Sequence, residues 1–517
     1  MDRTALARRV VALAMALGLA AEVLLHGPVL GINLSLLVVA VLAAVVVVRP
    51  RNAAFDVLDG WLPAGALALA AFVALRADPA LVIVDSLGAC TLLTASIPAL
   101  TGTPVTRRTV ERIVVLAAGV ATMILGGALQ VVDAARRNVP AGLLRLAGTH
   151  SVPVLRGLLL AIPLLVLFAA LFASADAVFG HWLLTVLSAD LEFGDLPGRV
   201  AFVLIAAWFA GGALWFAAVG QPSPAKPVPA SLGAAAASPE LITRDRSDGL
   251  GTAEALVVVL AVDALFGLFV ALQVVYLFGG ADTLAAAGTT YADYARRGFF
   301  ELLFVAALAG ALVGGLEAVV ARRSRAYVAA AGILLGLTAA VLVSAVLRMR
   351  LYQEAYGWTE LRFWALAGMV FVGIGLAATA VLLVRNRTDR LAHFLAGSLL
   401  VVMVAVNVLG PRSFVADRNL ERVFDPSLIP PDGERRLDAG HLASLGDDAI
   451  PALVTALPAI PEPERSIFLA QLLDRRRELA ERADLQGWPA WNLGRHRARE
   501  ALATLPVDER ARRPPGG

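Results

Sequence analysis

Between residues 10 and 410 the chain alternates long apolar runs with short polar breaks, and from residue 411 to residue 517 the pattern turns polar. A hydrocarbon core about 30 Å thick takes about 20 apolar residues in a helix. Every backbone N–H and C=O inside it needs a partner within the protein, so repeated apolar runs mean a bundle of spanning helices. Candidate spans lie at 10–26, 29–48, 61–76, 79–100, 113–132, 154–173, 198–219, 253–279, 298–320, 327–347, 362–384 and 391–410, the third of them short. Residues 177–189, with His181 and Trp182, read as a short amphipathic helix on the membrane surface. Pro222, Pro224, Pro227 and Pro229, followed by alanines 234–237, mark a linker.

The organisation that follows is a first helix set (1–219), a Pro/Ala-rich linker (220–252), a second helix set (253–410) and a polar helical tail (411–517). The fold class is all-α: a polytopic transmembrane bundle of about 11–13 hydrophobic helices with a small C-terminal helical domain. In the tail the spacing predicts two short helices, Asp438 to Leu445 and Asp448 to Leu457, with Asp447 as the N-cap of the second. Two longer amphipathic helices are predicted over 463–483 and 492–505. Their charges, Arg475-Arg476-Arg477 and Arg495, Arg497 and Arg499 against Glu478, Glu481, Asp484 and Glu500, read as solvated faces rather than a lipid-headgroup patch.

Composition agrees with the pattern. Hydrophobic residues make up 59% of the chain and charged residues 16%, against about 25% charged in an ordinary soluble domain. Mean hydropathy is +0.75. The net charge of +3 gives no reason to expect nucleic acid, and Lys226 is the one lysine. A single cysteine, Cys90, excludes an intrachain disulfide and cysteine-built metal sites. The apolar run after Arg3, Arg8 and Arg9 continues past His26-Gly27-Pro28 into a second one, so it reads as an uncleaved first span.

Orientation follows arginine in short loops. The N-terminus, the 49–60 loop and the 101–112 loop share one side and should be cytoplasmic. Loops 133–156, 321–326 and 385–390 agree with one another but differ from the first set by one crossing, at 113–132. An odd number of crossings reconciles them. The N-terminus is then cytoplasmic and the tail extracytoplasmic.

Ionisable groups within spans are costly and are functional candidates by default. They are Glu22, Asp85, Asp263 and Glu301. Asp263 lies deepest. It reads either as a protonatable or cation-binding carboxylate or as a hydrogen-bonded carboxyl that locks helices together. Glu22, Asp85 and Glu301 fall near the outer ends of their spans, at the level of Arg297, Arg348 and Arg362. Such a cluster either binds a charged solute or forms a structural ion-pair network. A pair between Glu301 and Arg362 is the specific expectation. Tyr352 and Tyr356, one helical turn apart, should line the same rim. Gly310/Gly314 and Gly332/Gly336 permit close helix contact.

The chain has no nucleotide-binding P-loop, no H-E-x-x-H and no G-x-S-x-G, and its six histidines lack ligand spacing. No catalytic residue, metal or cofactor is assigned.

Ala173-Ser174-Ala175-Asp176-Ala177-Val178-Phe179, Tyr291 through Leu302 with Arg296-Arg297-Gly298-Phe299-Phe300-Glu301, and Leu351-Tyr352 through Arg362 together resemble a bacterial membrane family known as domain of unknown function 4173, with its sister family 4153. In the tail the resemblance includes Leu437-Asp438, Asp448 through Leu453, Trp488 to Leu493, and Arg497-Ala498-Arg499. It implies a polytopic bacterial membrane protein and brings no catalytic assignment.

The leading functional reading is non-enzymatic and transporter-like, handling a solute or ion through intramembrane carboxylates. The alternative is a membrane component of a signalling or envelope assembly acting through its tail. An intramembrane enzyme comes third. Expected partners are the lipid bilayer and a protein bound through residues 411–517. A transporter should show broken helices near Asp263. An assembly component should show a dry bundle and a shaped tail.

Overall fold

A computed structural model describes residues 3–106, 120, 196–219, 252–278, 299–320, 323–429, 438–462 and 464–506. Helix is the only extended secondary structure among them. The helices are α1 (Arg3–Leu25), α2 (Ile32–Val48), α3 (Trp61–Leu75), α4 (Pro79–Leu100), α5 (Leu196–Val219), α6 (Thr252–Phe278), α7 (Phe299–Val319), α8 (Arg325–Tyr356), α9 (Glu360–Val384) and α10 (Leu391–Leu409). The tail adds α11 (Pro411–Phe424), α12 (Ala439–Ser444), α13 (Ile450–Ala456), α14 (Glu464–Glu481) and α15 (Leu493–Ala503). The chain is therefore an all-α bundle. Six helical stretches among the described residues are long and apolar enough to cross a membrane: Val57–Leu75, Pro79–Leu100, Gly198–Val219, Arg325–Tyr356, Glu360–Val384 and Thr388–Leu409. This is an integral membrane protein. The expected spans 113–132 and 154–173, the surface helix 177–189 and nearly all of the linker lie outside the described residues.

The chain divides into two compact units: Met1–Leu75 with Ala80–Ala225 and Arg482–Asn492, and Arg76–Pro79 with Lys226–Glu481 and Leu493–Gly517. In the first, α1 and α5 run antiparallel at close range. A Cβ at Gly18 would collide with the Val203 carbonyl and the Ala207 side chain, so the small residue sets the spacing. Helix α2 packs on α1, α3 and α5. At the end where α1 finishes and α2 begins, the tail residues 484–491 hydrogen-bond to the turn between them. The opposite end of α1 carries Arg3, Arg8 and Arg9, and the opposite end of α2 is followed by Arg49 and Arg51.

In the second unit α8 is the central helix. Tyr327, Ala331, Leu334, Leu335, Ala345 and Met349 are fully or almost fully buried on it, against apolar residues of α6, α7 and α9. At 32 residues it is about 48 Å long at 1.5 Å per residue, longer than a hydrocarbon core about 30 Å thick. Of the small-residue pairs, Gly310 and Gly314 are used: the Leu376 and Leu391 methyls lie 3.1 and 3.4 Å from where a Cβ would stand. Gly332 and Gly336 face open space among the described residues.

The four expected tail helices form, with one correction. Asp447 is not an N-cap; Ala449 occupies that position and makes no side-chain cap. The Asp447 carboxylate instead takes a two-point contact from Arg475 at 2.8 and 2.9 Å. That pairing, foremost its hydrogen bonds, raises the Arg475 pKa further above its ordinary value. Arg476 donates to the Leu502 and Leu505 carbonyls at the end of α15, and Arg495 is buried. These arginines hold the tail together rather than facing solvent.

Candidate functional site

Two groups of polar residues stand out, one within the spans and one at the helix ends that meet the tail. Glu22, one turn from the end of α1, is buried and paired with Arg199 at the start of α5. His26 Nδ1 lies 3.6 Å from its second oxygen, and the His26 ring meets Phe202 edge-on. This is a pair within one unit that ties two antiparallel helices. Asp85 is fully buried on α4. Asp263, on the unbroken helix α6, is 9% exposed, and neither carboxyl oxygen has a hydrogen-bond partner among the described residues.

Arg297 and the Glu301 side chain lie outside the described residues, so their expected pairing does too. Arg362 is already engaged. Its guanidinium donates to the Tyr356 and Gly357 carbonyls at the end of α8 and stacks over the Tyr352 ring at 4.0 Å. Tyr352 and Tyr356 do share a face, with ring centroids 5.0 Å apart. The expected rim is thus a capped helix end: cation, aromatic pair and terminal carbonyls together, a favourable use of positive charge at a helix C-terminus.

The second group was not singled out from the sequence. Residues Arg76, Ala77 and Asp78 form a turn too short to shield its own polar groups. The Asp448 carboxylate accepts the backbone N–H groups of Ala77 (3.0 and 3.1 Å) and Asp78 (3.0 Å). Arg76 donates to the Asn407 and Val408 carbonyls at 2.6 and 2.7 Å, closing the end of α10. Arg412, on the first turn of α11, lies 3.5 Å from the fully buried Asp78 and 3.1 Å from Glu360. Burial pushes the Asp448 carboxyl above its usual range, against the lowering effect of the Ala77 amide and of Arg76.

Helix α11 grips the α8–α9 turn as well. Asn419 accepts from the Trp358 amide and donates to the Trp358 carbonyl, both at 2.8 Å, as a neighbouring β-strand would. Arg422 donates to the Gln353 and Ala355 carbonyls at 3.2 Å each. Gly357, between them, has φ +76°, and a Cβ there would meet Asn419 and Arg422. Phe414 packs edge-on against Trp358 and Phe363. In the first unit Asn33 plays a related part: its Oδ1 accepts from Gly31 and Leu34, and its Nδ2 donates to the Leu24 and Val29 carbonyls.

At the far end of the second unit Glu317, 5% exposed, is paired with Arg323, which also reaches Asn386 and Thr388. Glu317 lies inside the expected span 298–320 but was not among the ionisable groups singled out from the sequence. The signal for Asp78 and Arg76 was their presence, with opposite charge, in a break of about three residues between two apolar runs. No group of histidine, cysteine and carboxylate side chains suited to a metal occurs among the described residues.

The profile of the family described as Domain of unknown function (DUF4153) matches residues 36–456, most of the chain, and the chain belongs to that family. This is the sister family of the resemblance; assignment to 4173 itself has no support. No curated protein matches the chain, and no solved structure does.

Proposed function

For this member of a family without an assigned activity, we propose that the tail is the working surface. The chain then acts as a non-enzymatic membrane component of an envelope or signalling assembly, presenting residues 411–517 outside the cytoplasmic membrane. One observation carries the reading. The tail is built into the ends of membrane helices, through the Asp448 carboxylate on the Ala77 and Asp78 amides, and is not a separate appendage. Side-chain hydrogen bonds to charged groups contribute about 1.5–3 kcal/mol each, so such a clasp holds the tail in one orientation.

Two features, each internal to one unit, support the side. In the first, Arg3, Arg8, Arg9, Arg49 and Arg51 lie at the helix ends away from the tail-bound α1–α2 turn. In the second, Arg323, Arg325, Arg385, Arg387 and Arg390 lie at the helix ends away from the tail-bound α8–α9 turn. Arginine-rich loops favour the cytoplasm. Both units therefore vote for an outer tail and an odd total of crossings. A reporter active only outside the cytoplasm, fused after Leu505, should be active. Photocrosslinkers at exposed tail positions such as Ile467 should give discrete protein adducts in cells. Activity of a cytoplasm-only reporter at the same site would reverse the reading.

A second reading rests on Asp263. A buried carboxyl with no partner among the described residues suits a proton or small-cation site, and supports a transporter-like role. Its helix is continuous from Thr252 to Phe278, however, whereas transporter sites form where helices break. Proteoliposomes carrying a pH-sensitive dye separate the two readings. Proton or cation flux that disappears in Asp263→Asn while the fold is kept would put Asp263 first and the tail second.

A further inference from the structure

Tail residues 484–491 lie along the turn between α1 and α2. The Val29 amide donates to the Asp484 carbonyl at 3.1 Å, Ile32 to Trp491 at 2.9 Å and Asn33 to Pro489 at 3.2 Å. The Ile32 and Asn33 amides are first-turn donors of α2, which no intrahelical carbonyl can satisfy, and Val29 lies in the turn just before it. The fit is close: a Cβ at Gly31 would collide with the Trp491 carbonyl. Helix α2 has 17 residues, which at 1.5 Å per residue makes about 25 Å. That is shorter than a hydrocarbon core of about 30 Å. A helix of that length that crossed the membrane would keep its first turn within it, and the tail segment bonded to that turn would then stand at headgroup level. Within this segment Trp488 is 60% exposed and Trp491 40% exposed. One turn into α2, Leu36 is also exposed, and Val39 follows it. Beside the indoles, Arg482 and Asp484 form an exposed ion pair at 2.6 Å.

We propose that the loop Trp488-Pro489-Ala490-Trp491 is a membrane anchor, its two indoles seated in the interfacial zone of the leaflet that the α1–α2 turn faces. The partner is the lipid headgroup region. An indole has an apolar body and one N–H donor, which suits a boundary that is apolar on one side and wet on the other. The backbone of the loop caps a short membrane helix, and its side chains hold that cap at the depth where the helix begins. The proposal does not depend on which side of the membrane is cytoplasmic.

The test uses the full chain reconstituted in phosphatidylcholine vesicles. Cys90, the only cysteine, is replaced by alanine, and Trp488→Cys carries an environment-sensitive fluorophore. A label at Asp474, on the exposed face of α14, is the reference. Lipid spin labels near the headgroup should quench the probe at 488 roughly twofold more strongly than the reference, as an interfacial position requires. Aqueous iodide should quench it less than the reference. Equal iodide quenching at both positions would overturn the proposal, and so would a probe at 488 that neither quencher reaches. If the cysteine variant does not fold, brominated lipids can be applied to the unlabelled protein and to Trp488→Phe. The lipid-quenched share of tryptophan emission should fall in the variant, and an unchanged share overturns the anchor.

Discussion

Asp448 and Asp263 are both carboxylates withdrawn from water, and they are treated in opposite ways. Asp448 takes three backbone contacts on two amides, with Arg76 close enough to lower its pKa. Asp263 sits on an uninterrupted helix, and neither of its oxygens has a hydrogen-bond partner among the described residues. The same chemical group is a clasp in the tail and, among the described residues, an unmatched polar group in the bundle. Burying an unmatched polar group costs about 1–3 kcal/mol on mutational scales, whereas satisfying two orphan amides repays that cost. The lesson is that polarity inside an apolar chain has to be judged by where its partners come from. For Asp448 they come from about 370 residues away in sequence. For Asp263 none comes from the described residues.

The comparison is broken most directly at Glu317, another buried carboxylate with a partner. Removing one member of a buried ion pair costs about 3–5 kcal/mol, because the other charge is left alone. Arg323 is partly exposed, which puts Glu317→Ala at the lower end of that range. Thermal unfolding of detergent-solubilised protein should show a clear drop in midpoint. The double variant with Arg323→Ala should lose less than the sum of the two single changes. A cost no larger than that of Asp263→Asn would erase the distinction between partnered and unpartnered carboxylates.

Asp448→Ala comes next. It strands the Ala77 and Asp78 amides, and leaving a buried donor unsatisfied costs about 1–3 kcal/mol. The effect should be local. Hydrogen exchange should accelerate at Ala77 and Asp78 and in the adjoining tail helices, with the α8 core unchanged. Uniform acceleration through α8 as well would mean that the clasp supports the bundle and not the tail alone.

A smaller effect concerns pH. Burial holds the Asp448 pKa above its unfolded value. The folded state then binds a proton more readily than the unfolded state, and stability from this group grows as pH falls toward the ordinary aspartate pKa of about 3.9. Asn keeps an acceptor oxygen but does not titrate. The midpoint difference between the parent protein and Asp448→Asn should therefore widen in the parent's favour on acidification. Carboxylates with lowered pKa, such as Asp484 beside Arg482, act the other way but are common to both proteins and cancel. A difference that narrows would mean the anion is the favoured form at the clasp.

How much of this could be read in the sequence depends on the range of the interaction. Apolar runs located α2, α3, α4, α5, α6, α7, α9 and α10 within a few residues, and the start but not the end of α8, since a helix satisfies its own backbone and its signal is local. The four tail helices were legible for the same reason. Asp447 was misread as a cap because its local position suits one, while its real partner, Arg475, stands 28 residues on. Arg475 and Arg476 looked solvated because charge runs usually are. What they touch, Asp447 and the carbonyl end of α15, is a tertiary fact. Tyr352 and Tyr356 were placed on one face by their spacing, but the engagement of Arg362 with the end of α8 depended on a turn at Gly357 that no periodicity marks.

The smallest expected effect is at Asp263, and it sharpens the comparison most. If Asp263 bridged helices, Asn would preserve most of its bonding and Leu would lose it. With no partner among the described residues, neither change removes a bond that those residues make. Leu also relieves the burial of a polar group, which on mutational scales is worth about 1–3 kcal/mol, offset by the imperfect fit of a bulkier apolar side chain, about 1–3 kcal/mol. The two terms are opposite in sign and similar in size. Asp263→Leu and Asp263→Asn should therefore both lie within about 1 kcal/mol of the parent in thermal unfolding, the range usual for changes that break no contact. A loss of more than about 2 kcal/mol in Leu, with Asn unchanged, would reveal a hydrogen-bonded role of about the strength that buried pairs show. Near-neutral stability in both variants, joined to a loss of ion flux in both, would instead make Asp263 a group kept at that depth for what it binds.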